Sequence, residues 1–183
     1  VLEQEPEAIA CYPWRYAWIK NDPWLSRYFA LFGANDPVAW FLKKTDRQSY
    51  YSDQWTLSGK AEDKGDYFLV EFNEENLPTV GANGFLIRRD LLLKTQVDPN
   101  HFFHIDVNLD LVRQGYNQYA VIKNDIIHAS GESFWKFFQK RKRYLEELYL
   151  RDLPQRRYLL YNPKKDKLKI IGFSVYALSI ILP

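Results

Sequence analysis

Asn83, Asp106 and His128 are the residues whose types and spacing best suit chemistry. Asn83 lies in the stretch Thr79-Val80-Gly81-Ala82-Asn83-Gly84-Phe85-Leu86-Ile87-Arg88-Arg89, between two glycines that let the backbone turn sharply and approach a ligand. Downstream, Ile105-Asp106 opens an amphipathic helical stretch that ends near Gly115, and His128 closes a β-like run from Tyr119. An isolated carboxylate can serve as a general base. An Asn amide both donates and accepts hydrogen bonds, as sugar hydroxyls require. An imidazole can ligate a metal or contact a diphosphate. Brought together, these groups could form a sugar-transfer site. Each also has a structural use: Asp caps helices, Asn fills turns, and a single His is commonly hydrogen-bonded in a core.

The surrounding pattern predicts the elements that must position them. Ala8 to Tyr12 reads as a short buried strand leading into an aromatic loop from Pro13 to Pro23. Trp24 to Phe32 has helical spacing, with Gly33 placed to end it. Asp36-Pro37 starts a further helix through Trp40, Phe41 and Leu42, before the charges at Lys43, Lys44, Asp46 and Arg47. Ser58 to Asp66 is polar with two glycines and reads as a loop, whereas Tyr67 to Phe72 reads as a strand. Strand, turn and helix signals alternate up to His128, which predicts an α/β fold without internal repeats.

The character changes after Ser133. Phe134, Phe137, Phe138, Tyr144, Leu145, Leu148 and Tyr149 recur at helical spacing, with Lys136, Lys140, Arg141, Lys142 and Arg143 among them. A basic stretch follows, with Arg156, Arg157, Lys164, Lys165, Lys167 and Lys169 after Pro154. The run from Ile170 to Leu182 has no charge but falls short of the roughly 20 residues that cross a bilayer. Basic residues beside an apolar run read as the start of a transmembrane helix, with the basic side cytoplasmic.

Composition sets limits. The chain has 183 residues, with 6 Trp, 13 Tyr and 12 Phe, enough for one aromatic-rich core. A net charge of +2 does not argue for nucleic acid, and the basic residues of the C-terminal third adjoin apolar sequence, which suits a membrane better. The lone Cys11 excludes an internal disulfide and a Cys-based zinc site. Glu3, Glu5 and Glu7 stand where a secretion signal would be basic. A chain without Met is expected to be a piece of a longer protein.

Taken in order, Gly81-Ala82-Asn83-Gly84-Phe85 with Arg88-Arg89, Ile105-Asp106, Arg113-Gln114-Gly115-Tyr116 and His128 resemble the second half of the catalytic domain of family 2 glycosyltransferases, inverting enzymes with a GT-A fold. Arg27 to Pro37 is similar to a membrane-associated branch of that family. The family's acidic pair is here Ile105-Asp106, which leaves one carboxylate to carry over. The Gln-x-x-Arg-Trp motif of processive relatives has only a loose counterpart in Lys140-Arg141-Lys142-Arg143-Tyr144. The family's nucleotide-binding half, with its Asp-x-Asp motif, would precede this sequence.

The resemblance implies a partial GT-A-like mixed sheet flanked by helices in residues 1–150, a basic interfacial linker in 151–169 and a membrane-entry helix in 170–183. It implies a nucleotide-sugar donor, a lipid-linked or glycan acceptor, and a divalent cation, Mg2+ or Mn2+. In inverting transfer one base suffices, because the nucleotide diphosphate leaves without needing a proton. Asp106 would be that base. Gly81, Ala82, Asn83, Gly84, Arg141 and Arg143 would bind donor or acceptor, and His128 would hold the metal. The basic run Lys140 to Arg143 could meet a lipid headgroup or lipid diphosphate, or be a solvated helix face. Asp110, one turn beyond Asp106, reads as a solvated helix residue. A different class also fits: a non-catalytic, membrane-associated module whose Trp and Tyr side chains stack on carbohydrate or a partner.

Overall fold

Strand β1 (Ala8–Tyr16) is buried along nearly its whole length because it has a neighbour on each side. It runs parallel to β5 (Gln118–Ile126), from Ala10 opposite Tyr119 to Tyr16 opposite Ile126. β3 (Tyr67–Glu71) lies antiparallel to β5, and β2 (Lys60–Asp63) antiparallel to β3. The two-residue β4 (Leu86–Ile87) closes the other edge against Ala10 and Cys11. The result is a five-stranded mixed sheet in the order β2-β3-β5-β1-β4, flanked by helices. The computed structural model describes residues 1–128, 133–144, 146–147, 156–162 and 164–181.

Parallel strands need a long crossover, and here it holds most of the remaining elements. These are α1 (Trp24–Phe32), α2 (Pro37–Phe41), β2 to β4, α3 (Arg89–Leu92) and α4 (His104–Arg113). Beyond β5 come α5 (Phe134–Tyr144) and α6 (Lys167–Ile181). Gly33 ends α1 in a left-handed conformation, and Asp36 caps α2 by accepting from the Val38 and Ala39 amides, both as the sequence predicts.

The main core packs Tyr12, Trp14, Phe68, Val70, Tyr119 and Val121 of the sheet against α4. Residues 105–112 of α4 alternate apolar and polar up to Leu111, a strand-like pattern, yet every one is buried. The helix is covered on all sides, so its polar residues must find partners inside. Asn108 donates to the His104 carbonyl (2.8 Å) and accepts from the Tyr119 hydroxyl (3.0 Å). Asp110 pairs with Arg157 at 2.5 Å and accepts the Gln96 amide at 3.0 Å, so it is not the solvated residue expected.

Two further expectations change. Ser58 to Asp66, read as a loop, contains β2, whose charged residues suit a solvent-facing sheet edge. The short strand read at Ala8 to Tyr12 continues to Tyr16, absorbing Pro13, where the register with β5 shifts. Helix α6 has 15 residues, and among the described residues no helix is long and apolar enough to cross a membrane. The expected positions Leu145, Leu148, Tyr149, Pro154 and Leu182 lie outside the described residues.

Candidate functional site

The Gly81–Gly84 turn is the most constrained piece of backbone near the candidate residues. Gly81, Asn83 and Gly84 all have positive φ, at 125°, 53° and 81°. A Cβ on Gly81 would come within 2.8 Å of the His104 side chain, so the turn presses directly on the start of α4. Arg47 fixes it from below. Its side chain is 1% exposed, and its guanidinium donates to the carbonyls of Pro13, Ala82 (3.0 Å) and Asn83 (2.7 Å). The rings of Tyr12 and Tyr16 stand 5.1 and 5.8 Å from it, cation to centroid. A planar, permanently charged fork can satisfy several carbonyls at once, which a lysine cannot.

Beside this turn lies a cleft of about 440 Å³. Ala82 and Asn83 form one wall, and Phe103, His104 and Ile105 at the start of α4 form the next. Asp36, Asp46 and His128 line it, and α5 contributes Phe137, Lys140 and Arg141. The Asp46 side chain is only 15% exposed. Burial raises its carboxyl above the ordinary carboxylate value, opposed by the neighbouring Arg47 and more weakly by His104. Burial also lowers His104 and His128 below the usual imidazole value. For His104 the charges of Asp46 and Asp106 partly resist that shift, whereas Lys140, Arg47 and Arg141 reinforce it for His128. Burial thus favours the neutral form of both imidazoles and of the Asp46 carboxyl.

Several of the residues expected from the sequence meet here. Ala82, Asn83, His128 and Arg141 line the cleft, and Asn83 Nδ2 reaches the Tyr16 hydroxyl at 3.3 Å. The His128 ring packs 5.1 Å from that of Tyr16. Gly81 braces the turn against His104, and a Cβ on Gly84 would strike Ile126. Arg141 donates to the Asn35 carbonyl (2.5 Å) and pairs with Asp36 (3.3 Å). Arg143 does not line the cleft; it pairs with Glu147 at 3.9 Å.

Asp106 does not line the cleft either. Its carboxylate accepts from the backbone amides of Arg157 (3.2 Å) and Tyr158 (2.8 Å) and pairs with Arg156 at 3.3 Å. Nor does its side chain cap α4, whose N-cap is Phe103. Asp106 instead ties the segment 156–158 onto the helix. Among the described residues no three His, Cys, Asp or Glu side chains are grouped to hold a metal.

Asp46 and His104 were not singled out from the sequence as site residues. Asp46 belongs to a charged run that reads as surface. Its burial depends on Lys43, whose φ of 58° reverses the chain after α2. The reversed segment then pairs at long range, with Thr79 N on Lys44 O (2.8 Å) and Gln48 N on Trp14 O (2.6 Å). No local spacing announces that path. His104 does have a signal, its closeness to Asp106, but it lines the cleft while Asp106 does not. No family model, curated protein or solved structure matches this chain.

Proposed function

We propose that the cleft is the sugar-transfer site of an inverting glycosyltransferase with a GT-A-like fold. The sugar passes from a nucleotide sugar to a lipid-linked or surface-glycan acceptor at the cytoplasmic membrane face. The observation that carries this reading is a largely buried carboxylate, Asp46, in one cleft with Asn83, His128 and Arg141. The family resemblance places the last three in one site.

In this arrangement Asp46, rather than Asp106, takes the proton of the acceptor hydroxyl as its oxygen attacks the anomeric carbon. The bond from that carbon to the diphosphate oxygen breaks, and the electron pair leaves with the diphosphate. Asn83 offers a donor and an acceptor to sugar hydroxyls. Lys140 and Arg141 give positive charge to the side of the cleft where a diphosphate would rest. A divalent cation, Mg2+ or Mn2+, belongs to the proposal as a companion of the diphosphate, with His128 as the ligand this chain would lend. No step above runs through it.

The test is donor hydrolysis or transfer by the protein carrying this chain, in membranes, across a panel of nucleotide sugars. Turnover of one donor is the expected result; none with any donor contradicts the reading. A second reading, the non-catalytic binding module, is favoured by one observation: Asp106, the carboxylate expected to act as base, is fully engaged by the segment 156–158.

A further inference from the structure

The outward face of α1 is made of the wrong residues for water. Trp24, Tyr28 and Phe32 recur every fourth position and are 53%, 42% and 38% exposed, while Leu25, Phe29 and Ala30 fill the inward side. A helix facing solvent carries polar residues there. The same oddity continues into neighbouring helices. Trp40 of α2 is 44% exposed, and Phe134, Trp135 and Phe138 of α5 are 56%, 63% and 52% exposed.

These rings touch in three groups, and Phe29 of α1 meets Phe137 of α5 beneath them at 5.2 Å. Trp24 stacks on Phe134 at 6.0 Å, Tyr28 meets Phe32 at 4.5 Å, Phe32 meets Trp40 at 5.5 Å, and Trp135 stacks on Phe138 at 5.9 Å. Phe41 of α2 then contacts Phe173 of α6 at 5.3 Å. On α6, Ile171, Val175, Tyr176 and Leu178 are all exposed.

Charge on these helices is one-sided. None of the 23 acidic residues falls within α1, α2, α5 or α6, whereas α5 alone carries Lys136, Lys140, Arg141, Lys142 and Arg143. Exposed Trp and Tyr with basic residues between them match the headgroup layer of a bilayer, where amphipathic rings have one apolar and one wet side. Arg141, Lys142 and Arg143 have carboxylates within 4 Å, at Asp36, Glu146 and Glu147, whereas Lys136 and Lys140 are exposed and carry the positive charge that anionic lipid attracts.

We infer that α1, α2 and α5 seat the protein on the surface of an anionic bilayer through Trp24, Tyr28, Trp40, Phe134, Trp135 and Phe138. This contact is separate from any crossing by the C-terminal run. It does not depend on the glycosyltransferase reading, although Phe137, Lys140 and Arg141 of α5 also line the cleft and would bring its mouth to the lipid surface.

The test is flotation of the full chain with vesicles of phosphatidylcholine, with and without phosphatidylglycerol. The chain is expected to float with the anionic vesicles and to lose binding as salt rises. Lys136→Glu, an exposed change outside the cleft, is expected to weaken binding by at least roughly fivefold. Trp24→Ser with Trp135→Ser is expected to weaken it further at an unchanged melting temperature. Brominated-lipid quenching of the unmodified chain gives a readout that needs no variant, because the most exposed tryptophans are those of this face. No flotation, no quenching, or undiminished binding by the double Trp variant overturns the inference. None of these readouts requires a sugar donor, so they fail or succeed independently of turnover.

Discussion

Arg47 reaches from the charged stretch after α2 to the carbonyl of Asn83, donating to it at 2.7 Å. That bond ties the carboxylate-bearing segment to the Gly-Ala-Asn-Gly turn, so Asp46 and Asn83 come to the cleft as one unit.

Removing the guanidinium leaves the Pro13, Ala82 and Asn83 carbonyls without this donor in a buried site. Arg47→Ala is expected to cost about 3–5 kcal/mol in urea unfolding, the range for stripping one side from a buried charged contact. Arg47→Lys keeps the charge but not the fork, and is expected to lose at least about 1 kcal/mol.

Gly81→Ala separates backbone strain from contact. Gly65 and Gly81 both have positive φ, but a Cβ on Gly65 meets nothing within 4 Å, while one on Gly81 meets His104 at 2.8 Å. Each position is expected to lose about 1–3 kcal/mol from conformation alone. Only Gly81→Ala adds the clash, so its drop in melting temperature is expected to be clearly the larger.

Asp106 is expected to matter for stability before it matters for chemistry. Asp106→Asn removes the charge opposite Arg156, and both side chains are under a tenth exposed, so a loss of about 3 kcal/mol is expected. The amides of Arg157 and Tyr158 still have an oxygen to donate to, which keeps the loss near the low end of the range. Denaturant unfolding of the variant checks this, and a change within about 0.5 kcal/mol would show that the pair contributes nothing.

The pH dependence follows from Asp46. Burial raises its carboxyl, so the ionised base is lost as pH falls through that raised value, above the ordinary carboxylate range. Turnover is expected to fall there. The folded state also holds this proton more tightly than the unfolded chain does. The stability contributed by this group is therefore full below the unfolded value and lost as pH rises through the folded one. Asp46→Asn is expected to flatten that slope, measured by unfolding across the same pH window.

Much of the architecture can be read from residue order. Gly33 and Asp36-Pro37 mark the end of α1 and the start of α2 because capping is local chemistry. Tyr67 to Glu71 shows its β character through β-branched and aromatic residues. β2 is hidden, since Lys60, Glu62 and Asp63 look like a loop until β3 pairs with them. In the site, the turn glycines, Asn83 and His128 are legible by type. The roles of Asp46 and Asp106 are not, because each is set by a partner distant in sequence: Asn83 through Arg47 for one, Arg156 for the other.

The role of Asp46 is tested most directly by comparing transfer by the unmodified protein with that of Asp46→Asn, in membranes and with the nucleotide sugar it turns over. Asp46→Asn is expected to bind the donor and remain folded, while turnover falls by at least about a hundredfold, the contribution of a positioned general base. Equal turnover in the two proteins would contradict that role.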